Sequence, residues 1–237
     1  MTDARDIYQF HPEQYDALVR AEDKDGNLLR AIRGIVRLAG ADVVELGAGT
    51  GRVTALLAPA VGTIRAFDIA APMVEVARRN LDRLTLGPGG VRNWDIGIAD
   101  NACLPVPNES ADIVIAAWTY GHQTIWNADS WQTPIEAAIG EMIRALRPRG
   151  AAIVVETLGT GHTTPFAPPV ELERYYALLT EQFHFERTWI RTDYEFPSLA
   201  EGERLLRFFF GEEMAMRFAS AGSCVLPECT GVWWWRK

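Results

Sequence analysis

The run VVELGAGTGR, Val43 to Arg52, constrains this chain more than any other segment. Two β-branched residues lead into an acid, Glu45. The glycines Gly47, Gly49 and Gly51 then alternate with the small residues Ala48 and Thr50. The residues behind them, RVTALLAPAV, read as a helix. Strand, glycine turn and helix in that order bring backbone N–H groups and a helix N-terminus to one point, where an anionic ligand group is stabilised. Glycine permits positive φ there and lets a ligand approach the backbone closely. Asp68 follows Gly51 by 17 residues and closes a second strand-like run, TIRAFD. An acid at that strand end can accept two hydrogen bonds from a ribose diol. These segments point to a cofactor that contains a nucleoside.

The glycine spacing selects among such cofactors. A dinucleotide site wants G-x-G-x-x-G, whose bare turn meets a pyrophosphate. This chain has G-x-G-x-G with Glu45 just before it, a poor neighbour for pyrophosphate. A cationic ligand group suits Glu45 better. S-adenosylmethionine (SAM) carries an ammonium, a sulfonium, a carboxylate and a ribose, and matches the set.

Four segments carry a resemblance to a known family. VVELGAGTGRVT is similar to motif I of the class I SAM-dependent methyltransferases, in particular the bacterial type 11 group. AFDIAAPMVEVAR (66–78) resembles the family's second strand, with its acidic ribose ligand and following helix. ADNACLPVPNESADIVIAAWTYGH (99–122) resembles D-A-x-x-L-P-F-x-x-x-S-F-D-x-V with its trailing histidine. LRPRGAAIVVE (146–156) resembles the L-R-P-G-G turn into strand five. The four stand in family order and spacing over about residues 40–157. Arg149 replaces the usual glycine, Asn101 the usual alanine and Ala111 the usual aromatic. The first two positions are used largely through backbone; the third weakens core packing.

Strand-like runs near 42–46, 63–68, 92–96, 111–117, 150–157, 185–195 and 230–236 alternate with helical runs near 51–58, 72–84, 134–146, 170–181 and 199–219. The alternation predicts an α/β three-layer sandwich around a mostly parallel sheet. The resemblance implies seven strands in order 3-2-1-4-5-7-6, the last antiparallel. A helical cap over 1–40, a cofactor core over 41–157 and an acceptor-side part over 158–237 are expected to form one domain. The length of 237 residues and a 48% hydrophobic fraction allow a full core. No apolar run reaches membrane-spanning length. The net charge of −8 disfavours a nucleic-acid partner, which needs a basic face. The three cysteines, Cys103, Cys224 and Cys229, form no C-x-x-C pair and suit a reducing, cytoplasmic setting.

Each candidate site residue has a role to test. Gly47, Ala48, Gly49 and Gly51 are expected to wrap the methionine part of SAM, with Glu45 orienting the loop and attracting the ammonium. Asp68 is expected to hold the ribose. Ile69 and Met73 read either as adenine packing or as core. The resemblance implies that Asp100 accepts from the adenine amino group while the Asn101 N–H meets a ring nitrogen. Backbone carbonyls around Ala117 and Trp118 end strand four near the ammonium. His122, just past that strand, is the candidate general base. Trp118 and Tyr120 read as acceptor lining or as core, and His162 as a second acceptor-side histidine or a solvated loop residue. Tyr8 and Tyr15 either fold over the ligands, as the resemblance implies, or pack a helix onto the core.

Two further features compete for attention. Asp23, Asp25 and Asn27 imitate the start of a calcium loop, but Leu28 and Gly34 stand where such a loop needs Gly and Glu. Asn27 as a helix N-cap is the better reading, and no metal site is expected. Phe208 to Phe210 and Trp233 to Trp235 read as core, the tryptophans because a strand between helix layers is apolar on both faces. The expected function is transfer of the SAM methyl group to a small molecule by in-line displacement, leaving S-adenosylhomocysteine (SAH). A protein or RNA methyltransferase and a non-catalytic SAM-binding domain are the alternatives.

Overall fold

The computed structural model describes residues 4–86, 89–166 and 168–237. Residues 1–3 of the expected cap and position 167 of the loop 158–169 lie outside the described residues. The helices are α1 (Ala4–Phe10), α2 (Pro12–Val19), α3 (Asn27–Ile35), α4 (Arg52–Leu57), α5 (Ala71–Leu86), α6 (Gly121–Trp126), α7 (Gln132–Ala145), α8 (Val170–Ala177), α9 (Leu199–Phe210) and α10 (Glu212–Ala221). The strands are β1 (Asp42–Leu46), β2 (Thr63–Asp68), β3 (Trp94–Ile98), β4 (Ala111–Ala117), β5 (Leu146–Thr160), β6 (Glu186–Arg191), β7 (Tyr194–Glu195), β8 (Val225–Leu226) and β9 (Glu228–Arg236). Seven of them form one sheet in the order β3-β2-β1-β4-β5-β9-β6, and β7 pairs with β8 in a separate ribbon. Only β9, the last strand, runs against its neighbours β5 and β6. The expected seven-strand order therefore holds.

Strand residues divide by alternation. Val44, Leu46, Val114 and Val154 pack with Ile135, Ile139 and Met142 of α7 on one face. Val43, Ile64, Ile113 and Ile153 pack with Leu28 and Ile32 of α3 and with Val53 and Leu57 of α4 on the other. Successive side chains point to opposite faces, so a strand covered on both sides must be apolar throughout. The tryptophan run obeys the same rule. Trp233 is fully buried in the first cluster and Trp235 packs against it, while Trp234 packs against the second. Among the described residues, no helix is long and apolar enough to cross a membrane.

Several boundaries differ from expectation, each for a local reason. Strand three begins at Trp94 because the Asn93 amide turns back to the carbonyls of Ala58, Val61 and Gly62. The expected strand 185–195 breaks after Arg191. Asp193 takes both an ion pair from Arg191 (2.7 Å) and the Glu228 N–H (3.0 Å), which turns the chain. The expected helix 199–219 starts at its Ser198 cap, which accepts the Glu201 N–H at 3.2 Å, but divides at Gly211 (φ 92°, ψ 179°). A left-handed or extended glycine cannot continue a helix. Asn27 does not cap α3. Asp23 does, accepting the N–H groups of Asn27 (2.7 Å) and Leu28 (3.0 Å) with its two oxygens. Arg149, where the family has glycine, has φ 70°, a conformation costly for a side-chain-bearing residue. Helix α1 falls within the expected helical cap, whereas α6, which carries His122, lies where no element was expected.

Candidate functional site

The C-terminal ends of β1, β2 and β4 open into a cavity of about 400 Å³. Gly47 leaves β1 with φ 63°, and a Cβ placed on it would lie 2.3 Å from Thr119 Cγ2. Only glycine fits between that side chain and the turn. Thr119 in turn donates its hydroxyl to the carbonyls of Leu46 (3.2 Å) and Ala117 (3.1 Å), tying the ends of β1 and β4 together. Asp68 holds the loop from the other side. Its Oδ2 accepts the Gly49 N–H at 2.8 Å and its Oδ1 the Ala70 N–H at 2.9 Å. Burial raises the Asp68 pKa, and these backbone donors oppose that rise.

The cavity brings together Tyr8, Tyr15, Gly47, Gly49, Asp68, Ile69, Met73, Asn101, Trp118 and His122 from the expected set. Ile69 is 69% exposed, an apolar face left for a ligand to cover. Asn101 Oδ1 is buried on the same wall without a hydrogen-bond partner. A buried acceptor of this kind costs free energy until a donor reaches it. An apolar surface, an orphaned acceptor and a carboxylate at a strand end are what an adenosine with an amino group and a ribose diol would satisfy. The residues present therefore fit SAM.

Other expected residues lie elsewhere. Glu45 is buried behind the loop, accepts the Thr54 hydroxyl at 2.6 Å, and with Ala48 and Ala117 lines a small space that shares Tyr15, Gly47, Gly49 and Trp118 with the first cavity. Desolvation pushes its pKa up to about 8. The loop-holding role expected of it belongs to Asp68. Gly51 sits at the N-terminus of α4, against Ala77. Asp100 is exposed and closes its own turn by accepting the Ala102 N–H at 2.9 Å, so the inward acceptor is Asn101. Tyr120 is core: it is 2% exposed and its hydroxyl reaches Met142 Sδ at 3.4 Å. His162 stacks on Phe166 at 4.2 Å in another pocket.

His122 accepts or shares a 2.8 Å hydrogen bond with the Tyr8 hydroxyl through Nε2 and stacks on Trp126 at 5.4 Å. The two rings meet because α6 places positions 122 and 126 one turn apart. Burial depresses the His122 pKa to about 4, so its imidazole is neutral near pH 7. Tyr8 also packs edge-on against Tyr15 at 5.2 Å. The N-terminal helices thus lie over the glycine loop, and Asn80 pins them by donating to both Asp16 (2.8 Å) and the Thr50 carbonyl (2.9 Å).

Tyr15, Trp118 and His122 also line a second cavity, of about 210 Å³. Its other walls include Glu22, Arg52, Glu156, Phe209, Phe210 and Glu228. Trp118 holds φ 51°, and the Arg52 guanidinium covers its ring at 4.2 Å while pairing with buried Glu22 at 3.0 Å. A non-glycine residue in the left-handed region stores strain and is commonest where function needs the position. Glu156 accepts the N–H groups of Tyr120 (3.0 Å) and Gly121 (3.1 Å) and the Tyr175 hydroxyl (3.3 Å); burial still pushes its pKa up to about 7. Phe209 and Phe210, expected as core, also face this cavity. Glu22 and Glu228 carried no local sequence signal, and Arg52 and Glu156, though each closes a motif, were given no role, since the chain brings the four together only in three dimensions.

Comparison with known proteins agrees with this geometry. The methyltransferase-domain family matches residues 43–150. An uncharacterized methyltransferase of Anoxybacillus flavithermus is 28% identical over 158 residues, covering 64% of this chain and 66% of that protein. The ubiquinone/menaquinone biosynthesis C-methyltransferase UbiE of Xanthomonas oryzae is 35% identical over 117 residues, covering 48% and 41%. The aligned part is thus less than two thirds of either relative's length. A SAM-dependent methyltransferase structure from Aquifex aeolicus shares the fold with TM-score 0.54 at 16% identity, covering 98% of this chain and 92% of that one. The match falls on the strands and loops that build most of the first cavity, and over residues 43–150 the chain carries a methyltransferase domain of the class I, Rossmann-like SAM-dependent type.

Proposed function

We propose that this chain transfers the SAM methyl group to a compact small-molecule acceptor by in-line displacement, and that 1–237 act as one domain. The observation that carries the reading is the meeting of two cavities at Tyr15, Trp118 and His122. The first fits the cofactor and the second is the acceptor site. Its volume of about 210 Å³ lies below the roughly 300–1,000 Å³ of drug-sized sites, which favours a compact acceptor. When bound, SAM supplies a methyl group on a sulfonium, whose departure as a neutral thioether needs no acid. Asp68 would hold the ribose, Asn101 the adenine edge, and the Gly47 and Gly49 backbone the amino-acid tail. The chain's remaining work is alignment of the acceptor and exclusion of water. Where the acceptor must lose a proton, neutral His122 is the base we assign. Relatives named as C- and O-methyltransferases, such as the UbiE proteins and the malonyl-[acyl-carrier protein] O-methyltransferase of Methylococcus capsulatus, support a metabolite-type acceptor over a nucleic acid. The net charge of −8 supports the same choice.

The test is direct. Titration calorimetry is expected to give binding of SAM and SAH and none of NAD, and a compact acceptor is expected to turn SAM into SAH. SAM binding with no turnover across an acceptor library would favour a non-catalytic SAM-binding domain.

A lid follows from the same geometry. Tyr8 and Tyr15 line the first cavity and Tyr15 the second as well, so the N-terminal helices must open for exchange. Bound SAH is expected to protect residues 5–25 from hydrogen exchange, while loop 158–169 responds mainly to acceptor. Equal exchange over 5–25 with and without SAH would make the segment a fixed cap.

A further inference from the structure

Glu228 begins β9 and is 1% exposed, yet it lines the second cavity. Its Oε1 accepts the Thr157 hydroxyl at 2.6 Å. Its Oε2 is buried and makes no hydrogen bond. A buried carboxylate without a partner is costly and needs either a proton or a cation. A glutamine or an aliphatic residue would sit there at lower cost.

The cations around the cavity are already engaged. Arg52 pairs with Glu22 at 3.0 Å, and Arg191 pairs with Asp193 at 2.7 Å. Among the described residues, neither Glu228 nor Glu156 has an ion-pair partner, whereas Glu22, the third carboxylate on the cavity wall, is held by Arg52. Burial, reinforced by the charge of Glu22, pushes the Glu228 pKa up to about 8. The rest of the lining is largely apolar, with Leu18, Leu172, Phe209 and Phe210 among it. The cavity is therefore greasy, compact and electron-rich, with one acceptor oxygen waiting inside.

We propose that the acceptor carries a protonated amino group and that Glu228 is its counter-charge. The inference rests on the reading of the second cavity as the acceptor site. Glu228 lines only that cavity, whereas Tyr15, Trp118 and His122 line both. The amino group is thus a recognition element held away from the cofactor, and Glu228 determines specificity without touching the transferred methyl group. The occupant is a compact, mostly apolar amine. An acid would offer Glu156 and Glu228 no compensating positive charge.

The experiment uses the full chain saturated with SAH. Binding of SAH is measured first by calorimetry, so failure of the cofactor reading shows itself before any amine is added. A panel of compact primary, secondary and tertiary amines is then titrated beside their neutral hydroxyl isosteres; tyramine against 4-hydroxyphenethyl alcohol is one such pair. At least one amine is expected to bind 10-fold or more tightly than its isostere. Glu228→Gln is expected to abolish that preference while SAH affinity and the melting temperature stay near wild type. No amine exceeding its isostere would overturn the proposal. A preference that survives in E228Q would overturn the assignment to Glu228, and E156Q, measured alongside, would show whether Glu156 supplies the charge instead. Should E228Q fail to fold, Glu228→Met tests the same charge with a side chain suited to an apolar wall, and an unchanged amine preference there also overturns it.

Discussion

Asp68→Ala is expected to weaken SAM binding by about 1.5–3 kcal/mol, the loss of charge-assisted hydrogen bonds to a ribose, or roughly 10- to 150-fold in Kd. The structure adds a second reason. Asp68 also fixes the glycine loop through the Gly49 N–H at 2.8 Å and the first turn of α5 through the Ala70 N–H at 2.9 Å. Removing the carboxylate frees the backbone that must meet the amino-acid tail. Asp68→Asn separates the two effects. Its amide oxygen can keep one backbone donor, but the charge is gone, so its affinity should fall between wild type and alanine. Titration calorimetry at neutral pH measures both. SAM affinity unchanged in Asp68→Ala would remove Asp68 from the ribose and leave it a loop residue.

The first half of the cofactor site was legible in the sequence because its signals are local. Strand, glycine turn, helix and acid follow one another over Val43 to Asp68, and each needs only its neighbours to be read. The sheet order was legible for another reason: four motifs in register with a known family carry the topology with them. Side-chain direction was not legible. Glu45 and Asp68 are both acids at strand ends, but β1 turns Glu45 back toward Thr54 while β2 turns Asp68 onto the loop. Asp100 and Asn101 are adjacent, and a single turn decides which faces the cavity. Tyr120 reads like an acceptor-pocket aromatic until α6 carries the chain away and leaves the ring against Met142. The second cavity was least legible. Glu22, Arg52, Glu156, Phe209 and Glu228 come from distant segments, and their meeting depends on α2, α9 and β9 closing over one sheet edge. No spacing rule records such a meeting.

His122→Ala is expected to lower kcat by about 100-fold for an acceptor that must ionise, such as a phenol or alcohol, which is the usual size of a lost general base. SAM affinity should change little, because Asp68, Asn101 and the glycine loop remain. The structure sharpens the expectation through pH. Burial holds the His122 pKa near 4, so the imidazole is neutral and able to accept a proton from there upward. Activity should therefore be flat through neutral pH and fall as pH drops through about 4. A base of such low pKa has little driving force for proton transfer, and bound acceptor must raise it by bringing the developing charge close. Tyr8 provides the control. Its hydroxyl holds His122 Nε2 at 2.8 Å, and burial keeps the phenol protonated well above its ordinary value. Tyr8→Phe removes that hydrogen bond but leaves the ring and the imidazole. If His122 is the base, Tyr8→Phe should cost less than His122→Ala in kcat and should keep the same acid limb. Equal losses from the two variants, with no acid limb near pH 4, would mean that the pair only latches the N-terminal helices over the cavities. Methyl transfer would then depend on alignment alone, and the acceptor would be one whose nucleophile needs no base.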